Sequence, residues 1–302
     1  MKVLVPLFLL TILTACGASP EEIRKSIEFD PQDFKNHWYQ GKAELNRYEL
    51  KQARYGEIHE GHAVMIFVTE DFLREQQVKR DMGSEPADSV LKLNFTKNFF
   101  TGIYPYSLMT SVFTKVDFEK PETPKVSFSG QEWCGHVYMQ LNRDDDEFDC
   151  QLHSYFQSEG DQSFELPLAM LEDEIWNMIR MAPNTLPLGK IKVIPSSEHA
   201  RLKHIELEPL KAEASLAVEK DRTFSKEQVY VYRLKYTSGL NRELTIYFDQ
   251  KAPYQIRGWR ETGDSFGREL TTTAVLKNTI MNDYWSRNRN EDRKLRKELG
   301  LK

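Results

Sequence analysis

Apolar and polar residues alternate along several stretches of the chain, which is the pattern of a β-strand with one buried face. The clearest stretch covers residues 229–236, where Tyr230, Tyr232, Leu234 and Tyr236 occupy every second position. A period of two residues places these four side chains on the same face of the strand. The pattern therefore predicts a strand with an aromatic face toward the core.

Short strands joined by tight turns continue this pattern toward the C-terminus. Further strands are predicted at residues 244–248, 253–261 and 269–279, with turns at Ser238-Gly239, 249–251 and 263–265. The threonine run at residues 271–273 also favours a strand over a helix. This succession predicts an antiparallel meander.

Strand patterns also dominate the first half of the chain. Residues 63–68 form a continuous apolar run, which is typical of a strand buried on both faces. Shorter strands are predicted at residues 90–95, 125–129, 135–142 and 148–156, and Asp144-Asp145-Asp146 forms a turn between the last two. The predicted fold class is mainly β with minor α, an antiparallel meander that forms an open barrel or half-barrel.

One central amphipathic helix is predicted at residues 167–182. Leu168, Leu171, Ile175 and Met178 follow at helical spacing, Pro167 suits the first turn, and Pro183 ends the helix. Such a stripe usually packs into a core. The alternative is a ligand-facing surface, because methionine side chains at positions 170, 178 and 181 adapt to varied apolar shapes.

A short basic helix is predicted at the C-terminus, in residues 288–302. Asn290 can cap its start and Gly300 can end it. Residues 287–302 carry seven basic and three acidic side chains, a net charge of +4. A solvated helix is the simpler interpretation, and attraction to an anionic membrane surface is the alternative.

The first residues resemble a bacterial lipoprotein signal peptide. Lys2 precedes an apolar run over residues 3–13, which is too short to cross roughly 30 Å of hydrocarbon. The run ends in the lipobox-like sequence Leu13-Thr14-Ala15-Cys16. The resemblance implies removal of residues 1–15, a lipid on Cys16 and, because Gly17 rather than aspartate follows, the outer membrane. A plain secretory signal is the alternative.

The predicted domains follow from this start. Residues 16–36 read as an anchor and polar tether with a helix start at Ser19-Pro20, and residues 37–287 as a single β-rich domain. The chain of 302 residues has a formal net charge of −5, and loss of Lys2 with the signal makes it −6. An acidic chain with interspersed charges disfavours nucleic acid as a partner.

Trp133-Cys134-Gly135-His136 draws attention because some thioredoxin-type redox motifs begin in this way. That chemistry needs a second cysteine, and Val137 stands in its place. On a strand, His136 would lie about 6–7 Å from Cys134, too far for direct proton transfer. The sequence therefore disfavours both redox chemistry and a Cys134–His136 catalytic pair.

A Cys134–Cys150 disulfide stays open but disfavoured. With the turn at residues 144–146, Cys150 faces Gln140 and Cys134 faces Phe156, which leaves the two thiols too far apart for a bond. A different turn would be needed to bring them together.

Two further motifs resemble metal sites but lack the required spacing. His59-Glu60-Gly61-His62 lacks the helical zinc spacing and reads as a polar hairpin end with a turn at Gly61. The acidic run at residues 144–147 lacks the alternate ligands and the glycine of a calcium loop. Neither a metal nor another cofactor is predicted.

From Tyr39 through Leu301 the chain resembles a set of uncharacterised Bacteroidota lipoproteins. The stretches that carry the resemblance are Gln52-Ala53-Arg54-Tyr55-Gly56-Glu57-Ile58, Phe67-Val68-Thr69-Glu70-Asp71-Phe72, Gly102-Ile103-Tyr104-Pro105-Tyr106-Ser107 and Gln131-Glu132-Trp133-Cys134-Gly135-His136. Some members carry the label "septum formation inhibitor Maf". The Ser-Pro-Arg-Arg phosphate motif of Maf pyrophosphatases is absent here.

These observations predict a non-catalytic, lipid-anchored envelope protein that binds an apolar ligand or a protein partner. Many antiparallel strands with one inserted helix are similar in architecture to the half-barrels of the LolA/LolB type. The side chains expected at the rim or in contact with ligand are those of Tyr104, Tyr106, Trp133, Cys134, His136 and Trp259. The alternative is an envelope hydrolase that uses Cys134 or an unrecognised pair of acids.

Overall fold

Sixteen strands of a single curved sheet dominate the fold. The structure is a computed structural model that describes residues 18–301, so the predicted signal peptide and Cys16 lie outside the described residues. The strands are β1 (Ala43–Arg54), β2 (Glu57–Leu73), β3 (Val78–Lys79), β4 (Asp88–Thr101), β5 (Tyr104–Lys115), β6 (Lys125–Glu132), β7 (Gly135–Arg143), β8 (Glu147–Ser154), β9 (Asp161–Pro167), β10 (Met170–Leu171), β11 (Gly189–Ile194), β12 (Leu210–Glu219), β13 (Val229–Tyr236), β14 (Arg242–Phe248), β15 (Ile256–Ser265) and β16 (Arg268–Asn282).

The sheet is an open barrel with its two edges close together. The strand order runs from β10 through β11 to β16, then through β1, β2 and β4 to β9, and β3 pairs only with β2. All neighbours are antiparallel except β10 and β11. Since β9 ends at Pro167 and β10 begins at Met170, the chain itself joins the two edges. The predicted open antiparallel barrel is confirmed.

Within residues 18–301, five α-helices accompany the sheet: α1 (Pro20–Lys25), α2 (Pro31–Trp38), α3 (Ile175–Met181), α4 (Ser197–Lys203) and α5 (Arg293–Glu298). The start of α1 is confirmed, because Ser19 caps it with a reciprocal hydrogen bond to Glu22. The predicted pairing of neighbouring strands in the meander is also confirmed, because Leu234 of β13 lies opposite Leu244 of β14. No helix in residues 18–301 is long and apolar enough to cross a membrane.

The central helix is shorter than predicted. Residues 167–174 are not α-helical, because the chain completes β9, pairs Met170 and Leu171 with β11 and forms a 3-10 turn at Glu172–Glu174. The apolar spacing of Leu168 and Leu171 matches a helix by coincidence. Helix α3 itself is buried along its whole length, as a core helix should be.

Trp259 lies in the core, so its predicted position at a rim is wrong. Its side chain is 0% exposed and packs against Tyr48, Phe95 and Trp176, with ring centroids 5.0–5.5 Å apart. Trp176 comes from α3, which enters the hollow of the sheet. The concave face around Trp259 is therefore filled by protein side chains.

The C-terminal helix is also shorter than predicted. A 3-10 turn precedes it at Asn290–Asp292, and α5 covers only Arg293–Glu298. After α5, Leu299 is buried against Ala43, Leu45 and the neighbouring β2. The end of the chain thus packs on the outer face of the sheet.

The turn expected at Gly61 is absent, because Gly61 lies inside β2. Strands β1 and β2 turn instead at Tyr55 and Gly56, both with positive φ. A side chain at Gly61 would collide with the backbone of β4 at Asn98 and Phe99. Glycine is needed there because the strands approach closely.

The β7–β8 hairpin is shifted by one residue from the predicted register. Cys150 faces Leu141 rather than Gln140, although residues 144–146 form the predicted turn. Cys150 is buried and Cys134 is exposed, and both are free thiols. The Cys134–Cys150 disulfide is therefore not formed.

Candidate functional site

An open cleft of about 630 Å³ lies at one end of the barrel, between α4 and the ends of β1, β14, β15 and β16. We call it the mouth cleft. Its lining consists of residues 52–55, 198–199, 202–205, 239–242 and 261–266 with Leu270 and Thr272. A cleft of this volume suits a small organic ligand. Because the interior next to Trp259 is packed, this cleft does not continue into the centre of the barrel.

A network of buried charges forms the floor of the mouth cleft. The Lys97 ammonium lies 2.8 Å from a Glu198 carboxylate oxygen and 3.2 Å from one of Glu261. Arg242 lies 3.2 Å from Glu261 and binds Glu172 with both terminal nitrogens. Two cations are thus shared among three carboxylates, and the network links β4, β14, β15 and α4.

The two glutamates on Lys97 have opposite acidities. Burial disfavours the charge of Glu261, but Lys97 and Arg242 outweigh it and lower the pKa of Glu261 to about 2. Burial raises the pKa of Glu198 above its ordinary value despite the opposing effect of Lys97. Glu261 is thus a fixed anion, whereas Glu198 accepts a proton more readily.

His199 borders the cleft in its neutral form. Burial lowers its pKa well below the ordinary value, and the positive charge of Arg242 acts in the same direction. Partial burial also lowers the pKa of Lys203, with contributions from Arg54 and Arg242. Burial is the largest cause of both shifts, and the carboxylates of Asp264 and Glu261 oppose the effect of the cations on Lys203.

Arg54 is a buried cation without an acidic partner. Its side chain donates to the Leu202 carbonyl and to the hydroxyls of Tyr55 and Tyr106, at 3.2 and 3.3 Å for the two hydroxyls. Among residues 18–301 no carboxylate forms an ion pair with it. Since a buried charge normally has a counter-charge, this arginine is unusual.

Two polar atoms beside the cleft lack hydrogen-bond partners. They are Nε of Arg54 and Oε1 of Gln52, and both residues are more than nine-tenths buried, with exposures of 7% and 4%. The amide nitrogen of Gln52 is satisfied by Thr272 Oγ1 at 3.2 Å. A buried polar atom without a partner costs roughly 1–3 kcal/mol.

A row of aromatic side chains begins at the mouth cleft, where Phe266 and Tyr55 line it, and continues away from it. The row consists, in order, of Phe266, Tyr55, Tyr106, Tyr104 and Trp133. The hydroxyl oxygens of Tyr55 and Tyr106 lie 2.7 Å apart and share a hydrogen bond. Ring centroids lie 5.5 Å apart for Phe266–Tyr55, 5.7 Å for Tyr106–Tyr104 and 6.5 Å for Tyr104–Trp133. The Arg54 guanidinium lies 4.3 Å from the Tyr55 centroid, so the cation is part of this row.

Several exposed apolar side chains stand where hairpins turn at this end. Successive hairpins of a meander alternate between the two ends of the sheet, so the β1–β2, β4–β5, β6–β7 and β15–β16 turns share one end. Tyr55, Ile103, Trp133 and Phe266 stand at these turns with 38%, 81%, 68% and 74% of their surface exposed. Exposed apolar groups at a cleft are typical of binding surfaces.

Three of the predicted rim residues are brought together, and the rest are not. Tyr104, Tyr106 and Trp133 lie in the aromatic row, although Tyr106 is buried. Cys134 and His136 are exposed at the β6–β7 turn and are not part of the row, and none of these five residues lines the mouth cleft itself.

Sequence reasoning missed most of the residues that form the cleft. Gln52, Arg54, His199, Lys203 and Glu261 come from β1, α4 and β15, which are far apart in the chain. Two of them stand in the stretch at residues 52–58 that carried the family resemblance, and this was the sole signal for them.

Comparisons with known proteins give little information about this site. No protein-family model matches the chain, and no curated protein matches it. Among solved structures, the chain is similar to a β-barrel-like protein of the domain of unknown function DUF1849 from Brucella abortus. The identity is 12%, the TM-score is 0.47, and the match covers 80% of this chain and 98% of the other.

Proposed function

We propose that this protein is a lipid-anchored envelope protein that binds a small amphipathic ligand in the mouth cleft without transforming it. The observation that carries the proposal is the cleft itself, an open volume of about 630 Å³ with both apolar and charged walls. The lipobox-like sequence ending at Cys16 supports the anchor, and its Gly17 supports the outer membrane.

The walls of the cleft suit a ligand of mixed character. Leu202, Ile205, Leu240 and Leu270 supply apolar surface, while Arg54 and the charges on the floor supply polar contacts. A wholly apolar ligand deep in the barrel does not fit, because Trp176 and Trp259 fill that space. Binding therefore belongs to the mouth rather than to the concave interior.

Filling the cleft tests the proposal. Leu240→Trp adds bulk at the cleft wall, and Leu73→Trp adds the same bulk at the end of β2, outside the cleft lining. Full-length protein is extracted from the membranes of the cells that produce it, and the masses of co-purified molecules are measured by native mass spectrometry. We expect a co-purified molecule with the wild type and with Leu73→Trp, and its loss with Leu240→Trp. Wild-type protein without any such molecule would contradict the proposal.

A second candidate function is acid–base catalysis in the same cleft. The specific observation is that Glu198 and Glu261 share Lys97 and have pKa values displaced in opposite directions, an arrangement that enzymes use to separate an acid from a base. The fixed ion pairs of Glu261 with Lys97 and Arg242 weaken it as a base, which favours binding over catalysis.

Glu198→Gln separates the two functions. Under the binding proposal the variant keeps both the co-purified molecule and cellular function, because the glutamine amide has the shape of the carboxyl and its oxygen can still accept a hydrogen bond from Lys97. Loss of cellular function with the molecule retained would favour catalysis. Cys134→Ala is the matched test for the thiol, and we expect it to leave cellular function intact because Cys134 lies outside the lining of the cleft.

A further inference from the structure

We propose that the mouth cleft takes a ligand whose polar end is an anionic oxygen group, a carboxylate or a phosphate, and that Arg54 and Lys203 are its counter-charges. This inference rests on the proposed binding function and assigns the class of the ligand. It requires a cation that the protein leaves unpaired at the cleft, a route to that cation, and an apolar surface for the remainder of the ligand.

The charge balance of the cleft provides the first requirement. The cations on the floor, Lys97 and Arg242, are held by Glu172, Glu198 and Glu261. Arg54 has only a carbonyl and two hydroxyls as partners, and Lys203 donates to the Asp264 carbonyl rather than to a carboxylate. No carboxylate within residues 18–301 therefore lies within ion-pair distance of either cation; the Asp264 and Glu261 carboxylates act on Lys203 from farther away, so Arg54 is the less compensated of the two.

The donors of Arg54 provide the second requirement. Nε has no acceptor, whereas the two terminal nitrogens bind neutral oxygens. The guanidinium is planar and presents its donors as a fork that matches a carboxylate or a phosphate. Tyr55 covers the guanidinium and is 38% exposed, so the proposal requires this tyrosine to move aside when an anion reaches the fork.

The neighbours of Arg54 provide the third requirement. Leu202 and Ile205 lie on the same wall of the cleft, and the ring of Phe266 packs against Tyr55 at its rim. An acyl or aromatic group attached to the anion can lie on this surface. Neutral His199 adds a hydrogen-bonding group without adding charge. The arrangement fits an anionic amphipath better than a sugar or a free cation.

Binding of defined probes to delipidated full-length protein tests the inference. The probes are decanoate, decyl phosphate, neutral 1-decanol and inorganic phosphate, each measured by isothermal titration. Charge-assisted hydrogen bonds contribute about 1.5–3 kcal/mol, so we expect decanoate or decyl phosphate to bind at least about tenfold more tightly than decanol. Inorganic phosphate that competes with these probes would identify the head group as sufficient.

Variants of Arg54 and Lys203 test whether these residues bind the anionic group of the ligand. Arg54→Gln should abolish the advantage of the anionic probes and leave decanol binding unchanged, and Lys203→Gln should reduce that advantage by a smaller factor. Lys203 is exposed, so this second variant does not threaten folding. Arg257→Gln is the matched control, because Arg257 is paired with Asp249 and lies outside the cleft lining.

The outcomes separate this inference from the proposed function. Decanol that binds as tightly as decanoate, or anionic probes that bind Arg54→Gln and Lys203→Gln as they bind the wild type, would overturn the inference and leave the binding function standing. Failure of all four probes to bind, with no co-purified molecule in native protein, would overturn both.

Discussion

Arg180 and Arg54 are both buried arginines, and their surroundings differ completely. Arg180 binds both oxygens of Glu44, at 2.6 and 2.9 Å, and donates its remaining Nε–H to the Pro253 carbonyl. Its guanidinium lies 5.0 Å from the rings of both Trp38 and Phe67. Arg54 has no carboxylate and leaves its Nε–H without an acceptor.

The difference indicates which buried charge belongs to the fold and which to a function. The Arg180 guanidinium and the Glu44 carboxylate satisfy each other, and Glu44 also accepts from Asn46 at 2.7 Å and lies 2.7 Å from His37. Around Arg54 one charge and one donor are left over, and they border the open cleft. A buried polar group that remains unsatisfied next to an open cleft is a candidate to be completed by a ligand.

Removal of Arg180 should give the largest loss of stability. Arg180→Leu leaves the Glu44 carboxylate buried with only His37 and Asn46, and breaking a buried ion pair in this way costs about 3–5 kcal/mol. Urea denaturation at pH 8 measures the loss. It should be smaller at pH 5, because Glu44 without Arg180 can take up a proton there.

Two variants make the Arg180 measurement specific. Arg257→Leu breaks a partly exposed pair with Asp249 and should cost less than about 1 kcal/mol. Glu44→Leu combined with Arg180→Leu should recover much of the loss, because no isolated charge remains. A single Arg180→Leu variant as stable as the Arg257→Leu control would show that this pair is not needed by the fold.

Asp173 is a buried carboxyl group without an ion-pair partner within residues 18–301. It is therefore the acidic counterpart of Arg54 in the comparison of paired and unpaired buried groups. Burial raises its pKa to about 7, although Ser197 donates to it from both its backbone nitrogen, at 3.0 Å, and its hydroxyl. A pKa raised from 3.8 means that its contribution to stability is complete below about pH 4 and is lost as the pH rises through 7.

Asp173→Asn should therefore stabilise the protein by up to a few kcal/mol at pH 8 and have little effect at pH 4. Denaturation midpoints at the two pH values measure this. Glu174 has a pKa raised to about 7 by burial as well, so part of the loss with pH should persist in the variant. Asp146→Asn at the exposed turn is the control. An effect of Asp173→Asn that is equal at both pH values would contradict the expected ionisation.

The pattern of the chain predicts the sheet because alternation is a local property. The strand at residues 229–236 and its partner at 244–248 were predicted with nearly their observed bounds, since each has one face in the core. Trp259 was misplaced because its strand pattern does not show that α3 fills the hollow opposite it. Helix 167–182 was overextended because Leu168 and Leu171 satisfy helical spacing while the chain pairs as β9 and β10.

The mouth cleft could not be predicted in the same way. Arg54, Lys203 and Glu261 are more than 50 residues apart in sequence, and no local motif joins them. Even in a known fold, whether Arg54 is paired depends on which side chains of α4, β5 and β15 reach it. That Arg54 lacks an ion-pair partner can be recognised only when the positions of all neighbouring carboxylates in the folded structure are known.

Removal of Arg54 should have the smallest effect on stability. Arg54→Leu forfeits hydrogen bonds to the Leu202 carbonyl and to Tyr55 and Tyr106, but it also removes the cost of a buried, unpaired charge. The two effects oppose each other, so we expect a change of about 1 kcal/mol or less in the free energy of unfolding.

The same urea denaturation used for Arg180→Leu measures this change, in ligand-free protein. A loss of about 3–5 kcal/mol, equal to that expected for a broken buried pair, would place Arg54 with Arg180 as a residue of the fold. A small loss of unfolding free energy in ligand-free Arg54→Leu, together with weaker stabilisation by ligand, would show that Arg54 serves binding whereas Arg180 serves the fold. A ligand that binds only the native state stabilises it more the more tightly it binds, so added decanoate should stabilise the wild type more than Arg54→Leu.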